Sequence, residues 1–295
     1  VSGTKGMNVI APTWFSMTDE YGAFRSFATA DYVTTAHNMG LQVWGVLDNF
    51  NYANENGISI STLNMLSSTT ARQTLVQNVT DTAVSLGLDG INVDFEQLSS
   101  DCGPHYVEFL RELSIQCRNK GLVLSVDNYV PFNFNDYYRL DIQGQVADYV
   151  IIMGYDEHWH GSKDPGSVAS IGYVSDGLDR TLQEVPANKV VNALPLYTIL
   201  WKTEGTDVTD EYITMRNEAD FMSRAGVTAE WDEETCQNYA EWTSGNATYQ
   251  IWLEDAESIA VKLNMMTTKN IGGVAVWRLG YGTQAAWELI NAYLQ

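Results

Sequence analysis

Residues 88–98 (LDGINVDFEQL) carry the side chains of this chain whose types and spacing could perform acid–base chemistry. Successive side chains of a strand point to opposite faces, so Asn92, Asp94 and Glu96 share one face and apolar residues occupy the other. Two carboxyls two residues apart lie about 6–7 Å apart along a strand. With no Lys or Arg between them, they repel each other unless a proton or a cation offsets the charge. The spacing therefore indicates two acids that act together on one small ligand.

Buried strands alternate with helices along the chain, and several strands are apolar on both faces, which predicts a parallel sheet covered by helices. Besides the acidic strand, the predicted strands span residues 7–14, 41–47, 122–127, 148–153, 190–196 and 272–279. Helical patterns occupy residues 31–39, 106–119, 175–184, 258–268 and 284–294, and a long amphipathic helix lies within 61–86.

Polar and aromatic residues gather at or just past the carboxyl ends of these strands. They are Trp14, Asn49, Glu96, Asn128, Tyr129, Tyr155, Asp156, Tyr197 and Trp277. In a (β/α)8 TIM barrel those ends form one face, where the active site lies, whereas an open doubly wound sheet would use a single switch point. No glycine-rich phosphate fingerprint follows the first strand, which disfavours a nucleotide-binding sheet. The pattern predicts an α/β barrel.

The strand count falls one short of eight. We expect the missing strand to be the first, either upstream of Val1 or poorly marked at the N-terminus. Residues 199–253 are polar, carry several Trp and break the rhythm, which predicts an inserted α+β subdomain before the last helix–strand pair. It would have a helix near 217–225 and a strand at 249–253. Residues 1–198 and 254–295 would then form the catalytic barrel.

The composition excludes some partners. With 16 basic and 37 acidic residues the formal net charge is −21, which repels nucleic acid and anionic lipid. No stretch approaches the length of a membrane span. The three Cys have no metal-ligand spacing. Cys102 and Cys117 could pair only if their backbones come close, and we expect free thiols. His158 and His160 lack a third ligand, so we predict no metal and no cofactor. We expect a monomer.

The run from Asp89 to Glu96 resembles the signature of family 18 glycoside hydrolases, in which acidic residues alternate along barrel strand four and end in the catalytic Glu. Other matches follow in the same order: Met153-Gly154-Tyr155-Asp156, then Tyr197, then Trp277. The insertion is similar to that family's insertion subdomain. The segments APTWFS, YDEHW and IWLED are most similar to the bacterial branch that contains spore-cortex and peptidoglycan N-acetylglucosaminidases.

The resemblance implies retaining hydrolysis without an enzyme nucleophile, an exception to the usual two-carboxylate scheme. Glu96 would protonate the glycosidic oxygen, and the substrate's 2-acetamido carbonyl would attack the anomeric carbon to give an oxazolinium ion. Asp94 would orient the acetamido N–H, and Tyr155 would donate to the acetamido oxygen. Glu96 would then activate water as a general base. We expect the pKa of Glu96 to be raised by the apolar barrel mouth and by Asp94.

The predicted substrate-binding residues are the remaining members of this face. They are Asn92, Trp14, Asn49, Asn128, Tyr129, Met153, Asp156, Tyr197 and Trp277, with Trp277 as the apolar floor under the cleaved sugar. Further candidate sugar platforms are Tyr129, Trp201, Trp231 and Trp242. Many relatives carry Asp where this chain has Asn92. Because an amide cannot share a proton with Asp94, we expect Asp94 to stay ionised more readily.

The leading hypothesis is hydrolysis of β-1,4-linked N-acetylglucosamine glycans, peptidoglycan first. One alternative is a chitinase or an endo-β-N-acetylglucosaminidase acting on other glycans. Another is a non-catalytic carbohydrate-binding barrel, which the presence of Glu96 disfavours. The chain starts at Val1 and shows no signal peptide or wall-binding module, so we expect a processed or excised part of an extracellular or wall-associated protein.

Overall fold

The computed structural model describes residues 4, 6–50 and 59–295, which form two compact units. Met7–Ile151 with Gln183–Lys189 make up the N-terminal unit, and Ile152–Leu182 with Val190–Gln295 make up most of the C-terminal unit. Both units contain parallel strands and covering helices, so the predicted α/β fold class is confirmed. Among the helices of the described residues, none has both the length and the apolar character needed to cross a membrane.

The N-terminal unit is a strand–helix alternation around a largely parallel sheet. Its elements are β1 (Val9–Ile10), β2 (Thr13–Met17), β3 (Phe24–Ser26), α1 (Ala30–Asn38), β4 (Gln42–Asp48), α2 (Thr62–Ser67), α3 (Thr69–Leu86), β5 (Gly90–Asp94), α4 (Gly103–Lys120), β6 (Val123–Tyr129), α5 (Leu140–Val146) and the first three residues of β7 (Tyr149–Met153), whose last two belong to the C-terminal unit. The sheet order is β3-β2-β4-β5-β6-β7, and β1 pairs in parallel with the start of β4. Strands β2, β4, β5 and β6 run parallel.

The prediction of a single first strand over residues 7–14 is wrong. The segment breaks into β1 and β2 around Pro12, which has no backbone N–H to give to a ladder. The register of β2 against β4 then shifts between Thr13 and Phe15, leaving Trp14 as the extra residue of a bulge. On its other side β2 pairs with the antiparallel strand β3, and the sheet of this unit ends there in the described residues. An earlier barrel strand stays a prediction.

Helix boundaries follow local capping chemistry. The amphipathic pattern of residues 61–86 gives two helices because Ser68 has extended backbone angles and its hydroxyl accepts the Ala71 N–H, starting α3. Gly87 ends α3 in the left-handed conformation (φ 76°) and leads directly into the acidic strand. Cys102 and Cys117 lie buried with free thiols, and Cys236 is also free.

The C-terminal unit combines a parallel strand pair with an antiparallel sheet. Its elements are α6 (Ile171–Thr181), β8 (Val190–Pro195), β9 (Tyr197–Glu204), β10 (Asp207–Thr214), α7 (Met215–Ala225), β11 (Glu230–Asp232), β12 (Gln237–Ser244), β13 (Ala247–Leu253), α8 (Ala256–Lys269), β14 (Gly273–Trp277) and α9 (Gln284–Tyr293). Strands β8 and β14 pair in parallel. The polar segment predicted as an insertion forms the sheet β10-β9-β13-β12-β11 together with α7, and its boundaries as a subdomain stay a prediction.

Gly90, the first residue of β5, lets neighbouring strands approach closely. A Cβ at this position would lie 2.8 Å from the Val123 carbonyl oxygen and 2.8 Å from Cδ1 of Trp44. The carbonyl belongs to the backbone of β6, which pairs with Gly90, so it cannot move without disturbing the strand pairing that carries the acidic residues.

We predict that Gly90→Ala lowers the free energy of unfolding by about 1–3 kcal/mol, the usual cost of overpacking a close-packed core. Urea denaturation of the purified proteins measures it. Gly172→Ala is the matched control, because Gly172 is an exposed residue of α6 where an added Cβ would meet only open space. Alanine favours a helix, so this control should be unchanged or slightly more stable. Equal midpoints for Gly90→Ala and the parent would contradict the close approach.

Candidate active site

Carboxyls line up at the ends of three adjacent parallel strands of the N-terminal unit. Asp48 ends β4 and lies opposite Asp94, which ends β5. On β6, Ser125 lies opposite Asn92 and Val126 opposite Val93, which places Asp127 at the next position. Asp48 is buried, and its carboxylate accepts the Ser16 hydroxyl at 2.9 and 3.0 Å. The parallel register therefore assembles an acidic row from residues far apart in sequence.

Glu96 lies two residues beyond this row, and Asn49 holds its backbone. The Glu96 N–H donates to Oδ1 of Asn49 at 3.0 Å, and the Asn49 amide donates to the Glu96 carbonyl at 2.9 Å. This reciprocal pair replaces a strand ladder just where β5 ends. Gln97 follows with a positive φ of 53° and turns the chain away. Asn49, predicted to bind substrate, thus fixes the main chain of the predicted acid.

The Glu96 carboxyl is oriented by Tyr129, the last residue of β6. The Tyr129 hydroxyl donates to Oε2 of Glu96 at 2.6 Å and accepts the Gln97 N–H at 3.2 Å. Tyr138 supports the same turn, because its hydroxyl donates to the Phe95 carbonyl and accepts the Leu98 N–H. A short hydrogen bond to a carboxyl restricts its rotamer, so Glu96 presents its acid group in one direction.

Asp94 is the most electrostatically perturbed group of the row. Burial, followed by the neighbouring Asp127, Glu96 and Asp48 carboxyls, raises the pKa of Asp94 to about 9. Its Oδ1 is buried and has no hydrogen-bond partner among the described residues. Burial also raises the pKa of Asp127 to about 7, although the hydrogen bond from Asn92 opposes this. The row therefore holds protons at neutral pH instead of a full set of negative charges.

Asn92 connects the two strands through its amide nitrogen, which donates to Oδ1 of Asp127 at 2.9 Å and to the Ser125 hydroxyl at 3.0 Å. That an amide here makes Asp94 ionise more readily than an acid would stays a prediction. In this structure burial and the Asp127 carboxyl on β6 nevertheless keep Asp94 protonated at neutral pH. Oδ1 of Asn92 is buried without a partner in the described part of the chain.

Two other predicted binding residues of this unit make different contacts. Asn128 is buried, and it exchanges two hydrogen bonds with Gln143 of α5, at 2.7 and 2.8 Å. The ring of Trp14 packs edge-on against Tyr32 of α1, with centroids 5.0 Å apart. The predicted roles of both residues in substrate binding stay predictions.

In the C-terminal unit, the predicted residues Tyr155, Asp156 and Tyr197 lie together. The Tyr197 hydroxyl donates to Oδ1 of Asp156 at 2.5 Å, and the rings of Tyr155 and Tyr197 meet edge-to-face at 6.4 Å. Burial of the Asp156 carboxyl raises its pKa, and the Tyr197 hydrogen bond opposes this shift. Tyr212 of β10 packs on the other side of Tyr197, at 5.2 Å. These contacts give Asp156 a fixed direction.

The tryptophans predicted as sugar platforms differ in exposure. Trp277, at the end of β14, has 45% of its surface exposed and can receive a sugar ring. Trp201 is wrong as a platform, because it is 0% exposed and its indole N–H donates to the Gly166 carbonyl inside the unit. The Trp242 ring stacks on Tyr249 at 5.3 Å. Met153 is buried at the end of β7.

The two histidines of the YDEHW segment have protein partners. Nδ1 of His158 lies 2.8 Å from the Asp164 carbonyl oxygen, and Nδ1 of His160 contacts the Asp210 carboxylate. Searching the described residues gives no group of three or more His, Cys, Asp and Glu side chains that could hold a metal ion.

Sequence reasoning missed Asp48 and Asp127 as members of the site. Both obey the rule that selected the others, since each lies at the carboxyl end of a parallel strand. Asp127 is also the last residue of the predicted strand 122–127. The alternation of β6 places it on the face that carries Ser125, and that signal could have identified it.

Comparisons with known proteins identify the family of the chain. The model of the glycosyl hydrolases family 18 matches residues 54–282. The chain is 26% identical to the cortical fragment-lytic enzyme of Bacillus subtilis (strain 168) over 240 residues, which are 77% of this chain and 54% of that protein. The chain thus spans little more than half of that relative.

Solved structures share the fold. The chitinase from Chromobacterium violaceum ATCC 12472 has a TM-score of 0.84 and 25% identity, covering 97% of this chain and 91% of that one. The Bacillus cereus spore cortex-lytic enzyme SleL has a TM-score of 0.85 and 24% identity, covering 98% and 69%. The resemblance inferred from the motifs, including its bacterial spore-cortex branch, is confirmed. The matched segment contains the acidic residues of β5 and β6, Glu96, the MGYD motif and Trp277, and the chain belongs to the glycosyl hydrolases family 18.

Proposed function

We propose that the protein hydrolyses glycans that contain β-1,4-linked N-acetylglucosamine, with peptidoglycan as the first candidate. The observation that carries this proposal is the Glu96 carboxyl, which Tyr129 holds in one direction close to Asp94, an acid that retains its proton. An oriented acid next to a proton-sharing carboxyl suits general acid catalysis on a glycosidic oxygen.

The proposed mechanism is substrate-assisted and retaining. Glu96 gives its proton to the glycosidic oxygen as the bond to the anomeric carbon breaks, and the carbonyl oxygen of the 2-acetamido group forms the new bond to that carbon. The product is an oxazolinium ion and a leaving sugar. Glu96, now a carboxylate, takes a proton from water. The water oxygen attacks the anomeric carbon, which opens the oxazolinium ring and restores the 2-acetamido group. The anomeric configuration is retained because two displacements occur.

Asp94 and Tyr155 are proposed to handle the acetamido group. The unpartnered Oδ1 of Asp94 can accept the acetamido N–H, which stabilises the positive charge of the oxazolinium ion. The Tyr155 hydroxyl would donate to the acetamido oxygen. Asp127, which accepts a hydrogen bond from Asn92, would influence the protonation of Asp94. Asp94 loses its proton more easily when Asp127 is itself protonated and carries no charge. Trp277 would form the apolar floor beneath the sugar.

We also propose that the parallel strands belong to a (β/α)8 barrel that carries the α+β insertion of residues 199–253, acting as a monomer outside the cell or at the cell wall. The parallel order β2-β4-β5-β6 and the β8–β14 pair support it, as do the TM-scores. The names of the cortical fragment-lytic and spore cortex-lytic relatives favour peptidoglycan as the substrate.

Chitin is the second candidate substrate, because the Chromobacterium violaceum structure, a chitinase, matches nearly the full length of both chains. An endo-β-N-acetylglucosaminidase acting on other glycans uses the same groups. A non-catalytic carbohydrate-binding protein is the remaining alternative. Glu96, with its supporting Asn49 and Tyr129 contacts, argues for catalysis.

Our first prediction for the site concerns Glu96→Gln, which keeps the shape but removes the transferable proton. We expect kcat/KM to fall at least about 100-fold, the low end of what a positioned general acid contributes. Peptidoglycan and chitooligosaccharides are incubated with each protein, and new reducing ends are identified by mass spectrometry. Glu108→Gln, an exposed acid of α4, is the control and should keep parental activity. An equally active Glu96→Gln would refute the acid assignment, and a parent that cleaves neither substrate would favour the carbohydrate-binding alternative.

A second prediction concerns the proton on Asp94. Folding raises the pKa of Asp94 from its ordinary value to about 9, so the folded protein binds a proton that the unfolded chain loses above about pH 4. The stability contributed by that proton is present at low pH and is lost as the pH rises towards 9. The slope is at most about 1.4 kcal/mol per pH unit.

Asp94→Asn removes this dependence, because its amide does not titrate. We therefore expect the free energy of unfolding of Asp94→Asn, minus that of the parent, to increase steadily from about pH 4 to pH 9. Urea unfolding at several pH values measures it. Asp101→Asn, an exposed acid of the same unit, is measured in parallel as the control for removing one surface carboxylate. A difference between Asp94→Asn and the parent that does not change with pH would show that Asp94 holds no additional proton.

A further inference from the structure

Two arginines of the C-terminal unit surround the loop that follows β14. Nη1 of Arg216 donates to the Gly280 carbonyl at 3.2 Å, and the Arg216 N–H donates to the Tyr281 carbonyl at 3.0 Å. The guanidinium carbon of Arg278 lies 4.7 Å from the centroid of the Tyr281 ring. Both side chains are therefore held against residues 280–281, and both belong to exposed residues.

This arginine pair lies next to the aromatic residues of the proposed site. Tyr281 packs against the buried cluster that contains Tyr197 and Trp201, and Tyr155 packs against the same cluster. Tyr197 in turn holds Asp156. Arg278 directly follows Trp277, the proposed floor of the site. One aromatic ring thus separates the Arg278 guanidinium from the cluster that holds Tyr155, the residue proposed to contact the acetamido oxygen.

Among the described residues, the guanidinium groups of Arg216 and Arg278 have no carboxylate as a counter-ion. In the described part of the chain, no carboxylate lies within 4.0 Å of Arg216 or Arg278, although acidic residues outnumber basic ones 37 to 16. Two lysines of the same unit do have such partners, Lys202 in Glu204 and Lys269 in Asp179. Arg224 has none among the described residues, but its guanidinium contacts the carbonyl of its own helix at Asp220, away from residues 280–281. Two arginines beside the aromatic cluster of the C-terminal unit, with no carboxylate partner in the described residues, are available to an anionic ligand on a strongly acidic protein.

The position of Arg216 adds an independent argument. It is the second residue of α7, where the positive end of the helix dipole disfavours a cation and favours an anion. The helix dipole therefore gives no reason for an arginine here. A ligand carboxylate would satisfy both the guanidinium and the helix end, and guanidinium binds carboxylate through two parallel hydrogen bonds.

The nearby acids already have partners. Asp156 accepts the Tyr197 hydroxyl, and the largely buried carboxylate of Asp210 contacts His160 and accepts the Gly161 N–H at 2.9 Å. Their negative charge lowers the local electrostatic potential, but neither carboxylate pairs with the guanidinium group of Arg216 or Arg278. Recognition of an anion here must come from direct contacts, because the field of a chain with net charge −21 repels it.

We propose that Arg216 and Arg278 bind a carboxylate of the substrate and so select acidic glycans over neutral ones. The proposal rests on the proposed function, since the ligand is the substrate of the same site. Peptidoglycan offers carboxylates on its lactyl groups, when these carry no peptide, and on its stem peptides. Chitin offers none. The arginine pair would thereby favour peptidoglycan between the two candidate substrates.

The test compares the parent with Arg216→Gln/Arg278→Gln on three soluble substrates: peptide-bearing peptidoglycan fragments, the same fragments stripped of peptide by an amidase, and chitohexaose. We expect kcat/KM of the double variant to fall about 10- to 100-fold on at least one acidic substrate and to stay within about twofold of the parent on chitohexaose. Loss on stripped fragments alone identifies the lactyl carboxylate, and loss on peptide-bearing fragments alone identifies the stem peptide. Arg224→Gln, an exposed arginine of α7, is the matched control and should behave as the parent.

Equal loss on all three substrates, or no loss on either acidic one, would overturn the proposal. Calorimetric binding of the same ligands separates it from the failure of catalysis. If the parent cleaves none of them, hydrolysis is refuted, and weaker binding of the acidic fragments alone by the double variant still supports the arginine site. Equal affinities of the parent and the double variant for the acidic fragments would exclude it.

Discussion

The constraint on which the site depends is the crowding of carboxyls at the ends of adjacent parallel strands. Asp48 and Asp94 are direct partners in the register of β4 and β5, and Asp127 follows on β6. Charges so close together and withdrawn from water cannot all exist at neutral pH, so protons stay bound. This crowding of carboxyls lowers the stability of the fold, and it also keeps protons bound close to Glu96, the residue proposed to perform catalysis.

Neutral side chains position the groups around this row of carboxyls. Asn49 takes the place of a strand ladder for the Glu96 backbone, and Tyr129 orients its carboxyl. Asn92 ties Asp127 to β5 without adding another charge. Asn49 directly follows β4, Asn92 lies on β5 and Tyr129 ends β6, so the position of the Glu96 carboxyl depends on the register of these parallel strands. Gly90 permits the close approach of β5 and β6 that this register requires.

The C-terminal unit uses a different means of positioning. A packed series of aromatic rings, Tyr155, Tyr197 and Tyr212, fixes Asp156 through one short hydrogen bond. Tyr281 joins the same cluster and carries Arg278 against its ring. Aromatic packing thus connects a residue expected to touch the acetamido group with cations suited to a more distant part of the ligand.

The alternation of Asn92, Asp94 and Glu96 and the order of the MGYD, Tyr197 and Trp277 segments are local patterns, and the sequence alone was sufficient to determine the α/β class, the family and the candidate acids from them. Local patterns do not report which strands become neighbours. The inclusion of Asp127, the proton on Asp94, the burial of Trp201 and the split of residues 7–14 at Pro12 were therefore decided by the tertiary structure. The physical reason is that charge coupling and burial depend on distances between residues far apart in the chain, which only the strand register and packing establish.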